Sequence, residues 1–128
     1  MLEKGIVGKE EMIVTEADTA KALGSGGLNV FATPAMIALS EKTALRSVLK
    51  YLPEGQSTVG TKIDMSHIAA TPVGMKVRCE TELIEIDRRK LVFSVEVYDE
   101  VEKVAEGTHE RFIVEDARFQ TKADAKNK

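Results

Sequence analysis

The second half of the chain alternates apolar and polar residues along four consecutive segments, and this period of two constrains the fold more than any other feature. We assign strands to residues 57–69, 74–86, 90–98 and 103–115. Short polar stretches separate the last three, as in hairpin connections. The pattern predicts a meander of antiparallel strands.

One long helix precedes these strands. Thr33 and Pro34 are typical of a helix N-cap and first helical residue, and Pro53 and Gly55 end the segment. A short strand at residues 9–14 and a brief helix ending at Gly24 come before it. The expected fold is therefore α+β, with the long helix packed against an antiparallel sheet.

Composition limits the classes of function. The 128 residues fit one domain, which we place at residues 1–119, followed by a polar tail at 120–128 that we expect to be disordered. A net charge of -3 argues against general nucleic-acid binding.

A single cysteine, Cys79, excludes an internal disulfide and a cysteine-based zinc site, and we expect no metal and no cofactor. The chain has no secretory or membrane-spanning apolar run, so we expect a cytoplasmic protein.

Glu41 is the anomalous residue of the long helix. On a helical wheel it falls in the middle of an apolar stripe, while the opposite side is mostly polar. A carboxylate at such a position loses hydration unless it is paired or neutralised. It is a structural carboxylate satisfied by an arginine, a residue at an edge of the stripe that remains hydrated, or a functional group with a tuned pKa. The stripe consists of Ile37, Ala44, Leu45, Val48 and Leu52.

His67 lies on the apolar side of the first long strand. By alternation it shares that side with Val59, Thr61, Ile63 and Met65. If the helix covers this side, His67 and Glu41 face the same layer, although the spacing does not show that they touch. They form either an acid/base pair or a purely structural pair.

Two further polar residues share one side of the last strand. His109 and Arg111 are two residues apart, within the sequence from Gly107 to Arg111. We expect both to be solvated on an edge strand.

Taken together, Thr33-Pro34, Glu41 eight residues later, Gly60-Thr61, Ser66-His67 and the segment 107–111 resemble the hotdog-fold thioesterases, and among them the fluoroacetyl-CoA thioesterase subfamily. The resemblance implies a hotdog fold and a homodimer with active sites at the subunit interface. It implies catalytic roles for Thr33, Glu41 and His67, and substrate contacts for Gly60 and Arg111.

The implied function is an acyl-CoA thioesterase, in which Glu41 acts as general base or nucleophile and His67 as acid or base. Recognition of a fluoroacetyl group is expected to use an aromatic lid before the long helix. The chain has no aromatic residue there before Phe31, so we expect an ordinary short or medium acyl-CoA. The alternatives are a hotdog enoyl-CoA hydratase or dehydratase, and a non-catalytic acyl-CoA binding module.

Overall fold

The structure is a computed structural model that describes residues 1–127, and its helices and strands follow the predicted order. The five predicted strands and the long helix are confirmed, with ends that differ by a few residues. A single 3-10 turn, Glu16–Asp18, precedes the first short helix. The elements are β1 (Val7–Ile13), α1 (Ala20–Leu23), α2 (Thr33–Leu49), β2 (Gln56–His67), β3 (Lys76–Asp87), β4 (Lys90–Tyr98), β5 (Lys103–Glu115) and α3 (Asp116–Asp124).

The strands form one antiparallel sheet in the order β1-β3-β4-β5-β2. Strands β3, β4 and β5 are sequential neighbours, as a meander requires. Strands β1 and β2 lie at opposite edges of the sheet. Helix α2 lies between them in the sequence and packs across the inner side of the sheet. Strand β5 is therefore interior, which corrects the expectation that His109 and Arg111 lie on an edge strand.

The core lies between α2 and the inner side of the sheet. Its strand residues alternate with exposed or partly exposed residues, as the period of two predicts. The fully buried apolar side chains of β3 and β4 are Val77, Cys79, Leu83, Leu91, Phe93, Val95 and Val97.

The buried side of α2 differs from the predicted stripe. Ile37 and Leu45 are only partly buried, whereas Ser40 and Thr43 are buried. The two hydroxyls donate hydrogen bonds to carbonyls one turn earlier in the helix, at 2.9 and 2.7 Å, so their burial leaves no unpaired donor. The buried side is thus turned by roughly a quarter of the helix circumference. It consists of Met36, Leu39, Ser40, Thr43, Ala44 and Val48.

This rotation changes the position of Glu41. The residue lies at the margin of the buried side, not in its middle, and its side chain is 45% exposed. Glu41 therefore retains part of its hydration.

The chain beyond β5 continues as α3, whose residues are all exposed. Residues up to Asp124, which include the first part of the predicted disordered tail, are helical in the structure. Lys128, the last residue of that tail, lies outside the described residues. Within residues 1–127, no helix is long and apolar enough to cross a membrane.

Gly107 provides a test of the β2–β5 contact. A Cβ added there would lie 2.8 Å from Met65 Cα and 2.9 Å from the carbonyl carbon of Asp64, both in the backbone of β2. Because backbone cannot rotate away as a side chain can, we expect Gly107→Ala to lower the free energy of unfolding by roughly 1–3 kcal/mol. Urea denaturation measures the change.

The matched control is Gly27→Ala, where a Cβ would meet nothing within 4 Å. It should leave the urea midpoint nearly unchanged. Equal midpoints for the Gly107 variant and the wild type would contradict the close approach of β5 to β2.

Candidate active site

Thr33 opens α2 but does not cap it. The N-cap position is Ala32, which has no side chain able to accept from the first N–H groups. The Thr33 hydroxyl instead lies 2.8 Å from Nδ1 of His67. The expected capping role of Thr33 is therefore wrong, and the hydroxyl is joined to the predicted catalytic histidine.

His67 is held in a partly desolvated position. The ring of Phe31 meets it edge to face, with the ring centroids 6.3 Å apart. Nε2 is buried and has no hydrogen-bond partner among the described residues. Burial lowers the pKa of His67 below its ordinary value of 6.5, so the imidazole is neutral near pH 7.

A cavity of about 350 Å³ opens beside Thr33 and His67. It lies between the end of β2 and the segment before α2. Besides these two residues and Phe31, its walls carry small or aliphatic side chains. These are Ala20, Ser25, Val30, Ile68, Ala69 and Ala70.

A second group of polar residues lies around Arg111. Contrary to the sequence-based expectation, Arg111 is only 5% exposed and His109 only 1% exposed, because β5 is interior and both side chains point towards α2. The guanidinium donates to Thr58 Oγ1 at 2.7 Å and to the Thr58 carbonyl at 2.9 Å. It also lies 3.1 Å from His109 Nε2.

Glu41 belongs to this second group. Its Oε2 lies 3.6 Å from Arg111 Nη1, so the predicted carboxylate has an arginine partner. Gly60 faces the same carboxylate: a Cβ there would collide with Glu41 and lie 3.3 Å from both Arg111 Nη1 and His109 Cε1. Only glycine leaves room for the carboxylate at this position.

A β-bulge explains how Gly60 comes to face inward. The pairing register of β2 with β5 shifts between Gly60 and Lys62. The extra residue reverses the alternation, so Thr58 and Gly60 face the same side as Ile63 and His67. The prediction is therefore right for Ile63, Met65 and His67 and wrong for Val59 and Thr61.

The structure thus places the predicted residues of the chain in two groups. Thr33 pairs with His67, while Glu41 lies with Gly60 and Arg111. Gly60 and His67 are seven positions apart on an extended strand, a separation of about 20 Å at about 3.3 Å per residue. Glu41 and His67 therefore belong to different groups within the chain.

The sequence does not predict the roles of two members of the second group. Thr58 carries no motif, and its orientation depends on the bulge. His109 is correctly predicted to share one side of the last strand with Arg111. Its burial is not predicted, because it follows from the interior position of β5 in the sheet.

We find no metal-binding arrangement in this region. Among the described residues, no three His, Cys, Asp or Glu side chains form a group that could hold a metal ion.

Comparison with known proteins identifies the fold and the family. Crystal structures of the fluoroacetyl-CoA-specific thioesterase FlK superpose with TM-scores of 0.92 at 30% identity, covering 98% of both chains. One such structure holds fluoroacetate and CoA and has a TM-score of 0.88 at 31% identity, covering 92% of this chain and 99% of that one. A Thermus thermophilus member of the thioesterase superfamily, 23% identical with a TM-score of 0.91 over 99% of this chain and 94% of that chain, supports the fold.

The fold and these neighbours define a hotdog-fold protein of the thioester hydrolase class. The family model for the fluoroacetyl-CoA-specific thioesterase (FlK) matches residues 14–117. A fluoroacetyl-CoA thioesterase of Streptantibioticus cattleyicolor is 37% identical over 97 residues, 76% of this chain and 70% of that protein. The chain belongs to the fluoroacetyl-CoA-specific thioesterase family.

The two histidines predict a pH dependence of stability. Burial is the largest contribution to the lowering of the pKa of both His67 and His109 below 6.5. The unfolded chain therefore binds more protons around that pH, and the free energy of unfolding falls as the pH drops below it. We expect this in urea denaturation between about pH 8 and about pH 5.5, above the range in which most carboxylates titrate.

The variant His67→Gln is the control for this prediction. It removes one of the two titrating rings, so the loss of stability over the same range should be smaller than in the wild type. An equally steep loss would contradict a lowered pKa for His67.

Proposed function

We propose that the protein hydrolyses a short or medium acyl-CoA to the free acid and CoA, with Glu41 and His67 as its acid/base or nucleophilic pair. The observation that carries the proposal is the Glu41 carboxylate, half-exposed, 3.6 Å from a buried arginine and facing a glycine. Family membership and the relative from Streptantibioticus cattleyicolor support thioester hydrolysis. We also propose a cytoplasmic location.

The active enzyme in this proposal is a homodimer formed through β2. This strand is 12 residues long and lies at an edge of the sheet. A long edge strand exposes a row of unpaired N–H and C=O groups that another strand can satisfy. A second copy of β2, paired antiparallel across a twofold axis, is the matching partner.

Such a dimer brings the two polar groups together. If the twofold axis passes between Gly60 and His67, antiparallel pairing places Gly60 of one subunit near the partner's His67. Glu41 then approaches the Thr33–His67 pair of the partner. The composite site explains why Glu41 and His67 are far apart within one chain.

The chemistry follows from these positions. Glu41, beside Arg111, acts by one of two routes: it activates a water molecule, or it attacks the thioester carbonyl directly. Neutral His67, oriented by the Thr33 hydroxyl, transfers protons to and from the reacting groups. The first N–H groups of α2, which have no side-chain cap, favour the developing oxyanion.

Gly60 and Arg111 complete the substrate-binding side. We propose that the Gly60 backbone contacts the thioester and that Arg111 supplies the positive charge near the acyl group. The cavity beside His67 holds the acyl chain. Apart from Thr33, His67 and Phe31, its walls are small or aliphatic side chains, and Phe31 is buried as part of the core. This supports a short or medium acyl group without a fluorine-specific lid.

Glu41→Gln tests the catalytic role. Removing the charge while keeping the shape should lower kcat for thiol release from acyl-CoA by roughly 10²- to 10⁴-fold, because a neutral amide can neither accept the proton nor attack. Free thiol is measured with a disulfide reagent. Sedimentation velocity on the same samples should show that the variant is still a dimer.

The matched control is Glu54→Gln, which changes an exposed carboxylate beyond the end of α2. It should keep wild-type kcat. Near-normal hydrolysis by Glu41→Gln would remove Glu41 from the mechanism.

A panel of acyl-CoAs tests the substrate class. We expect the wild type to release thiol from short and medium acyl-CoAs, and to show no large preference for fluoroacetyl-CoA over acetyl-CoA. Crotonyl-CoA belongs in the panel: hydrolysis releases thiol, whereas loss of the enoyl absorbance without thiol would identify a hydratase. Binding of every member without consumption, seen as a raised Tm, would favour the binding module.

A further inference from the structure

His109 connects the β-bulge to Arg111. Its Nδ1 lies 2.8 Å from the carbonyl oxygen of Lys62, the residue that ends the bulge in β2. Its Nε2 lies 3.1 Å from Arg111 Nη1. The side chain is 1% exposed, and the ring of Phe93 packs beside it, with the ring centroids 6.3 Å apart.

These two contacts fix the protonation of the ring. A carbonyl oxygen can only accept, so Nδ1 must carry the proton. A guanidinium can only donate, so Nε2 must be unprotonated. His109 is thus a neutral imidazole in a single tautomer. Burial, which is the main cause that lowers its pKa, acts in the same direction.

The other two nitrogens of Arg111 each donate one hydrogen bond to Thr58. Nε donates to the Thr58 hydroxyl and Nη2 to the Thr58 carbonyl. With Nη1 held by His109, the guanidinium plane is fixed on three sides. Glu41 Oε2, at 3.6 Å from Nη1, lies beyond ordinary hydrogen-bond distance. The two groups therefore form an ion pair without a direct hydrogen bond.

We propose that His109 is a positioning residue that holds Arg111 away from direct hydrogen bonding to Glu41, so that the carboxylate oxygens remain free for water or the thioester. The inference rests on the proposed role of Glu41. Without His109, the guanidinium as a whole can shift against its contacts with Thr58 until an N–H of Nη1 donates to Glu41. A carboxylate engaged in that way is a weaker base and a poorer nucleophile.

Two substitutions separate the functions of the two ring nitrogens. The amide of His109→Gln reaches the place of Nε2 and can still accept from Arg111. The shorter amide of His109→Asn reaches the place of Nδ1 and can still donate to the Lys62 carbonyl, but it leaves Arg111 Nη1 unheld. Comparison of the two variants therefore distinguishes the contact with Arg111 from the contact with the bulge.

The experiment measures kcat and KM for acyl-CoA hydrolysis together with urea denaturation. We expect His109→Gln to keep kcat within about threefold, and His109→Asn to lower kcat roughly 10- to 100-fold with KM little changed, the range that one charged hydrogen bond accounts for. Equal kcat for the two variants would overturn the proposal. So would a loss of stability in His109→Asn without a loss of kcat.

A second measurement needs no variant and no turnover. The chain has two histidines, so nitrogen-15 NMR of the wild type resolves both imidazoles. We expect one neutral ring, assigned to His109 by its absence from His109→Gln, with the proton on Nδ1. A proton on Nε2, or a charged ring at neutral pH, would overturn the proposal. If the wild type hydrolyses no acyl-CoA, the proposed function fails while this test still decides the placement of His109.

Discussion

The arrangement around Glu41 depends on one constraint, the burial of the Arg111 guanidinium in an interior strand. An unpaired buried cation costs several kcal/mol, so each part of its surroundings must supply an acceptor or a negative charge. Thr58 supplies a hydroxyl and a carbonyl, His109 a ring nitrogen and Glu41 a carboxylate. Residues of β2, β5 and α2 therefore all contact the Arg111 guanidinium.

The same constraint accounts for two local irregularities. Thr58 and His67 are an odd number of residues apart, so on a regular strand they would face opposite sides. The bulge between them reverses the alternation, so that both face α2. Gly60 lets the Glu41 carboxylate lie against β2, since a Cβ there would displace it. The bulge and Gly60 interrupt the regular strand, and together they allow β2 to contribute residues to both polar groups.

The sequence predicts the elements well because each depends on local pattern. The period of two identifies β2 to β5, and Thr33-Pro34 and Pro53 delimit α2. The buried side of α2 is not predicted, since Ser40 and Thr43 count as polar on a helical wheel, although their hydroxyls bond to the helix itself. The burial of His109 and Arg111 is not predicted either, because it follows from the order of strands in the sheet, and the bulge at Gly60 leaves no sign in the alternation.

The bulge also divides β2 into two halves that can change separately during evolution. Residues before it line up with Arg111 and Glu41, and residues after it lead to Thr33, His67 and the adjoining cavity. The extra residue takes up a change of register between them. Substitutions that reshape the cavity, which we propose to hold the acyl chain, can therefore accumulate at one end of the strand without changing the charge arrangement at the other end.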